Sequence, residues 1–282
     1  MIELFNTFPN LADTVPHISL GDFPTPVKHL KKLGESLGIE HLYVKCDSLS
    51  GKDYGGNKIR KLEFLLGQAK KEDKKHILTF GGAGSNHALA TAIYSQNLGL
   101  SCHLLLTPQP NSKFVRRNLL RAHLAGADLI YCPSLKLLPI YTAHLKLKLR
   151  LQTRDFPYTI PMGGTNELGI LGYINAAYEL KKQIDSGLIP EPDLLYLPLG
   201  SMGTAVGLII GFKLLKMKTK VMAVRIIDTS IANKNRFMKL VSDTKTYLTN
   251  CDPAFPFPDV SKSDILIRND CYGNSYGAFT PE

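Results

Sequence analysis

A chain of 282 residues, 44% hydrophobic and 21% charged, is long enough to bury a substantial core, and no run approaches the roughly 20 apolar residues that a membrane span needs. Its five cysteines (Cys46, Cys102, Cys132, Cys251, Cys271) form no C-x-x-C pair and its eight histidines show no H-E-x-x-H spacing, which argues against a disulfide framework, a structural zinc and a catalytic metal. The net charge of +10 admits nucleic acid or a small anionic ligand as partner, and the first 15 residues lack a basic start followed by an apolar block, so the expected location is the cytoplasm.

In chain order, short apolar strands are predicted at 41–46, 76–80, 101–106, 128–132, 158–161, 194–199 and 221–226. Helical stretches fall between most of them, at 58–70, 86–98, 113–124, 139–153, 168–186 and 204–215. This alternation predicts an α/β fold with mostly parallel sheets covered on both faces. No repeat or long flexible linker appears, so a division into domains would cross at ordinary turns. We place a smaller inserted α/β unit at 60–160, flanked by 1–59 and 161–282 as the two parts of a larger one. In the helix at 113–124, Lys113, Arg116, Arg117 and Arg121 share the segment with Phe114, Leu119, Leu120 and Leu124. That pattern describes an amphipathic helix with a solvated basic face, and neither nucleic acid nor a membrane is expected as a partner.

Three stretches carry chemistry. The first is Gly55-Gly56-Asn57-Lys58-Ile59-Arg60-Lys61-Leu62-Glu63, where a glycine turn delivers Lys58 to the first turn of a helix whose Ile59, Leu62, Leu65, Leu66 and Ala69 commit one face to a core. A lysine at a buried helix start has a lowered pKa and can form a Schiff base with an aldehyde. The other reading is a glycine turn capping an ordinary helix, with Lys58 in water. The second stretch, Gly81-Gly82-Ala83-Gly84-Ser85-Asn86-His87, joins a strand to a helix and presents backbone N–H groups suited to a carboxylate, beyond what a simple cap requires. The third, Gly200-Ser201-Met202-Gly203-Thr204, has the glycines and hydroxyls of a phosphate cradle at a helix N-terminus. It is neither a P-loop nor a G-x-G-x-x-G dinucleotide fingerprint, which leaves a nicotinamide-dependent dehydrogenase as a distant alternative. A lysine for an aldehyde, a loop for a carboxylate and a turn for one phosphate match pyridoxal phosphate joined to an amino acid.

With Pro161-Met162-Gly163-Gly164-Thr165-Asn166-Glu167-Leu168-Gly169 added to the first two motifs, the sequence resembles the D-cysteine desulfhydrase and 1-aminocyclopropane-1-carboxylate deaminase family. These are fold type II, tryptophan-synthase-β-like pyridoxal-phosphate enzymes, and the resemblance runs from about 24 to 282. It implies two three-layer α/β/α domains, pyridoxal 5'-phosphate in the cleft between them, and a homodimer. It implies that Lys58 holds the cofactor aldehyde and moves the substrate proton, and that Asn86 hydrogen-bonds the ring hydroxyl oxygen. Ser85 with the backbone of Asn86 and His87 would hold the substrate carboxylate, Gly200, Ser201, Met202, Gly203 and Thr204 the phosphate, and Tyr276 would stand near the substrate, with Ser85 and Tyr276 joining Lys58 as catalytic residues. The implied activity is a lyase or deaminase releasing ammonia and a 2-oxo acid from a small amino acid, with sulfide from D-cysteine. His87 at the third place of Ser-Asn-His favours the desulfhydrase branch over the deaminase branch.

The family's Lys-Arg-Asp-Asp-Leu reads Lys45-Cys46-Asp47-Ser48-Leu49 here, and Gly84 stands where glutamine is usual. Thr280-Pro281-Glu282 is a helix-start signal at the chain's end, whereas the family continues with the residue facing the pyridine nitrogen and a second tyrosine. A shortened, non-catalytic homologue is therefore a further alternative.

Overall fold

The computed structural model describes residues 2–273; Tyr276 and the 280–282 signal lie outside the described residues. In chain order the elements are α1 (Glu3–Thr7), α2 (Asn10–Thr14), β1 (Val27–His29), α3 (Lys31–Leu37), β2 (Tyr43–Lys45), α4 (Lys58–Lys71), β3 (His76–Gly82), α5 (Asn86–Asn97), β4 (Ser101–Thr107) and α6 (Lys113–Leu124). They continue with β5 (Asp128–Tyr131), α7 (Leu138–Thr153), β6 (Tyr158–Thr159), α8 (Glu167–Asp185), β7 (Leu194–Leu199), α9 (Gly203–Leu214), β8 (Lys220–Arg225), α10 (Lys234–Cys251) and β9 (Ile265–Arg268).

Two parallel sheets organise the chain. One has the order β5-β4-β3-β6, with His76 opposite Ser101 and His103 opposite Asp128. The other has the order β7-β8-β9, with Leu194 opposite Lys220 and Val221 opposite Ile265. Each parallel pair needs a crossover, and helices supply it, so strands such as Ile77-Leu78-Thr79-Phe80 are buried on both faces and read as continuous apolar runs. The division at 59/60 and 160/161 remains a proposal. The four-stranded sheet lies wholly inside the 60–160 range, although α4 packs on α8 outside it.

The strand predicted at 41–46 joins neither parallel sheet. Only Tyr43–Lys45 is extended, and it pairs antiparallel with Val27–His29, because the chain returns through α3 without crossing a sheet. The helix at 234–251 and the strand at 265–268 are additional to the sequence reading. The helix buries Phe237, Leu240, Val241, Thr244 and Leu248 at helical spacing.

The central helix departs furthest from expectation. α4 is not buried on one face only: Ile59, Leu62, Leu65 and Leu66 are fully buried, but so are Arg60, Lys61, Glu63 and Phe64. The cause is the close approach of α8. A Cβ on Gly172 would sit 2.0 Å from the carbonyl oxygen of Arg60, so only glycine allows that contact. Burying the helix all round puts its polar residues where their charges must be answered by the protein or by a ligand.

Candidate active site between two helix N-termini

The turn before α4 is set by its own backbone. Buried Ser50 accepts from the Gly56 amide at 3.0 Å and donates to the Gly56 carbonyl at 3.0 Å. Gly56 takes φ +116, and a side chain at Gly55 would meet the carbonyl oxygen of Ser48 at 1.8 Å. Lys58 follows as the first residue of α4, and its amine has no ion pair or hydrogen bond among the described residues. Burial lowers its pKa to about 8. Lys61, one turn on, is 1% exposed and donates to the Gly163 carbonyl at 3.2 Å and to Thr165 Oγ1 at 3.1 Å. Burial first, and the charge of Lys58 second, hold Lys61 well below the ordinary lysine value.

Between them, Arg60 turns to a different side of the helix and meets carboxylates. Its guanidinium donates to Glu179 at 2.8 and 3.0 Å and to Asp47 at 2.8, 3.1 and 3.2 Å. Glu179 also takes the Thr25 amide at 2.9 Å, and Tyr173 donates to Asp47 at 2.7 Å. Despite opposing desolvation, these partners keep both carboxyls below the usual carboxylate range and raise the arginine pKa.

At the end of β3 the turn into α5 is tied down on one side and open on the other. Ser85 is the N-cap, and its Oγ accepts from the Ala88 amide at 3.2 Å. The Ser85 amide donates to Gly82 at 2.9 Å and the Gly84 amide to Gln109 Oε1 at 2.9 Å. The amides of Asn86 and His87 have no acceptor among the described residues, as the first turn of a helix dictates. The serine thus performs the capping role and still has its hydroxyl proton to give. His87 is 3% exposed, with Nε2 3.0 Å from Thr79 Oγ1. Thr79 gives its only proton to the Ile160 carbonyl at 3.0 Å, so the imidazole must donate from Nε2. Nδ1 is buried and makes no hydrogen bond of good geometry among the described residues, although the Pro161 carbonyl lies beside the ring and opposes the fall in its pKa. Burial, then the charges of Lys58 and Lys61, push His87 well below the ordinary histidine value.

The third stretch joins β7 to α9. Met202 takes φ +73 at the N-cap, and the first α9 amide with a backbone acceptor is that of Val206, to the Met202 carbonyl at 3.0 Å. The amides of Gly203, Thr204 and Ala205 are left at the positive end of a helix buried nearly all round. Ser201 Oγ lies 2.7 Å from Thr165 Oγ1, and Asn57 reaches Thr204 Oγ1 at 3.4 Å. A Cβ on Gly203 would lie 2.8 Å from Thr165 Oγ1 and 2.9 Å from Lys61 Nζ, so the turn closes tightly on the second lysine. By contrast, a Cβ on Gly200 would meet nothing within 4 Å.

Lys58, Ser85, Asn86, His87 and the 200–204 turn, anticipated from the sequence, therefore converge on the ends of two parallel sheets, where ligands of open α/β folds bind. Tyr276 lies outside the described residues. Lys61 and Thr165 were not anticipated. Lys61 sits at i+3 from Lys58, hence on the same helix face, and that spacing was the available signal. Asn118 and Tyr54, which hold the carboxamide of Asn86, also went unread because they come from α6 and from the turn before α4. A cavity of about 680 Å³ opens elsewhere, past Phe23, Glu63 and Glu179, and touches neither glycine turn.

Lys58, Lys61 and His87 are gathered with two helix N-termini and, among the described residues, no carboxylate, an arrangement suited to an anion. A ligand carrying phosphate and aldehyde, such as pyridoxal phosphate, fits it: the 200–204 turn could take the phosphate and the low-pKa amine the aldehyde. A family model described as pyridoxal-phosphate dependent enzyme matches residues 18–252. A putative 1-aminocyclopropane-1-carboxylate deaminase from Thermotoga maritima is 38% identical over 212 residues, 74% of this chain and 65% of that protein. The D-cysteine desulfhydrase of Klebsiella pneumoniae is 29% identical over 272 residues, 93% of this chain and 77% of the relative. The crystal structure of a 1-aminocyclopropane-1-carboxylate deaminase homologue superposes with a TM-score of 0.79 at 27% identity, covering 96% of this chain and 78% of that one. The aligned stretch is thus 65% to 77% of the length of these relatives. With its fold and its lysine-centred site in agreement with the match, the chain belongs to the pyridoxal-phosphate dependent enzymes, among the relatives of 1-aminocyclopropane-1-carboxylate deaminase and D-cysteine desulfhydrase.

Proposed function

We propose that this chain is a pyridoxal-phosphate dependent lyase that takes a small amino acid, releases ammonia and a 2-oxo acid, and releases sulfide when the substrate is D-cysteine. The observation that carries this reading is the lysine pair, half-buried Lys58 and buried Lys61, which has no carboxylate partner among the described residues and lies between two helix N-termini. When bound, the cofactor supplies an electron sink for the carbanion left after proton removal.

The protein's own residues divide the remaining work. Lys58, with a pKa near 8, has an appreciable share of free amine at neutral pH, so it can attack an aldehyde and afterwards accept and return a substrate proton. Lys61, Ser201, Thr204 and the first amides of α9 would hold the phosphate. The Ser85 hydroxyl and the amides of Asn86 and His87 would hold the substrate carboxylate and fix the reacting carbon over Lys58. The imidazole of His87 is bonded to Thr79, so its side chain shapes the site from behind and its amide does the binding. By family resemblance the protein would act as a homodimer in the cytoplasm.

A 1-aminocyclopropane-1-carboxylate deaminase is the second reading, supported by the name of the Thermotoga relative. The test is to load the purified chain with pyridoxal phosphate, reduce it with borohydride and map the adduct, then assay both substrates. An adduct on Lys58, with sulfide and pyruvate from D-cysteine, is expected. Ammonia from the cyclopropane substrate alone selects the second reading, and an adduct on another lysine overturns both.

A further inference from the structure

An asparagine carboxamide has one edge that accepts and one that donates, so which edge of Asn86 faces the cleft decides what it can bind. The neighbouring bonds settle the choice. The Gly84 carbonyl can only accept, so the Asn118 atom 2.9 Å from it is Nδ2. That amide directs its second hydrogen at Asn86, 3.0 Å away, and Asn86 must meet it with oxygen. The Tyr54 hydroxyl reaches the same Oδ1 at 2.8 Å. With two donors on Oδ1, both N–H groups of Nδ2 are left on the opposite edge, and no acceptor among the described residues takes them.

Both supporting side chains are themselves fixed. Asn118 is 2% exposed, and its own Oδ1 is a buried acceptor without a partner among the described residues, a defect retained while Nδ2 serves Gly84 and Asn86. Turning the Asn118 amide over would relieve that atom only by setting two oxygens against each other at Gly84. Tyr54 is held by the Arg121 guanidinium 5.1 Å over its ring and by Tyr94, which donates to the Tyr54 carbonyl at 2.8 Å.

We infer that Tyr54 and Asn118 are positioning residues that lock the Asn86 carboxamide with its NH2 edge toward the cleft, so that it offers a donor and never an acceptor to an anionic ring oxygen of the cofactor. This rests on the function proposed above. A donor at that oxygen stabilises its negative charge once the adjoining nitrogen has lost its proton, and so lowers the pH at which the loss occurs. Neither residue makes that bond; each acts through Asn86.

The experiment titrates the visible absorbance of the cofactor-loaded protein without substrate, in the parent and in three variants. Asn86→Ala removes the donor and is expected to raise the pH midpoint by about one unit. Asn118→Asp keeps the shape but faces Asn86 with an acceptor, which turns its carboxamide over, and is expected to raise the midpoint at least as far. Tyr54→Phe removes one of the two anchors and is expected to fall between parent and Asn86→Ala; it decides the matter if Asn118→Asp does not fold. A midpoint that moves in Asn86→Ala but stays at the parent value in the other two overturns the inference and leaves the cofactor reading intact. A midpoint unmoved even in Asn86→Ala overturns it too, because Asn86 then does not face the ring oxygen. Failure of the parent to carry the cofactor on Lys58 is the separate signature that the functional reading itself has failed.

Discussion

Two sides of one helix turn treat buried positive charge in opposite ways. Arg60 is answered in full by Asp47 and Glu179, with Thr25, Lys45 and Tyr173 completing the network. Lys61, one residue after it, is met by a carbonyl and a hydroxyl, and Lys58, two residues before it, has no side-chain partner among the described residues. A buried charge that is paired holds a structure together, whereas one left unpaired costs stability until a ligand arrives. The network around Arg60 ties α4 to α8 and to the 47–49 turn, and Tyr173, bonded to Asp47, lies beside Thr204 at the rim of the proposed phosphate cradle. The rigid side thus fixes the direction of the unpaired one.

The largest effect should come from breaking the unpaired side at its first residue. Lys58→Ala is expected to abolish the borohydride-stable adduct and lower turnover by about 10³-fold, read by mass mapping and by product release. Breaking the paired side should instead act on the fold. Glu179→Gln leaves Arg60 and Lys45 with one carboxylate fewer in a buried setting, and a loss of about 3–5 kcal/mol is expected in chemical denaturation. A Glu179→Gln protein as stable as the parent would show the network to be ornamental and remove the contrast.

The pH dependence of stability separates the sides by sign. The pKa of Lys58 is about 8 in the folded protein against an ordinary 10.5. Below pH 8 both states hold the proton and the fold bears the full burden of a buried ammonium. Between 8 and 10.5 the unfolded chain keeps the proton that the fold has released, so stability rises with pH, by at most about 3 kcal/mol. In cofactor-free protein, Lys58→Met is therefore expected to exceed the parent in stability at neutral pH, with the gap closing by pH 10.5. Asp47 and Glu179 run the other way: their lowered values contribute stability that is present above the ordinary carboxylate range and lost as acid protonates them. A parent and Lys58→Met that track each other from pH 7 to 10.5 would place the amine in water.

Much of this was legible in the sequence, and the unread part has a physical reason. The glycine turn before Lys58, the cap at Ser85 and the cradle at 200–204 are local patterns, and a local pattern determines a local conformation. The partners of Arg60 come from residues 47 and 179, and those of Asn86 from 54 and 118, so no window along the chain holds both ends of either set. The amphipathic stripe of α4 was read correctly but incompletely, because Gly172 brings α8 onto the face that periodicity assigned to solvent. The 41–46 strand failed for a related reason, since its composition says extended but not which sheet it joins.

The smallest expected effect is the sharpest test of the contrast, because it predicts opposite signs at one residue. Lys61 is more deeply buried than Lys58 and has no carboxylate partner among the described residues, so in the cofactor-free protein it is either a charged group without an answer or a neutral amine whose proton has been given up. Both states cost free energy relative to a methylene chain of similar length. The losses on substitution are two hydrogen bonds, to Gly163 and to Thr165, and Thr165 retains Ser201. Lys61→Met should thus leave the cofactor-free protein as stable as the parent or about 1 kcal/mol more stable. The same change removes a side-chain cation from the proposed phosphate cradle, and affinity for pyridoxal phosphate should fall about tenfold or more, read by titrating the absorbance of bound cofactor. Loss of stability together with unchanged cofactor affinity would make Lys61 a structural strut like Arg60 and dissolve the distinction between the two sides of α4.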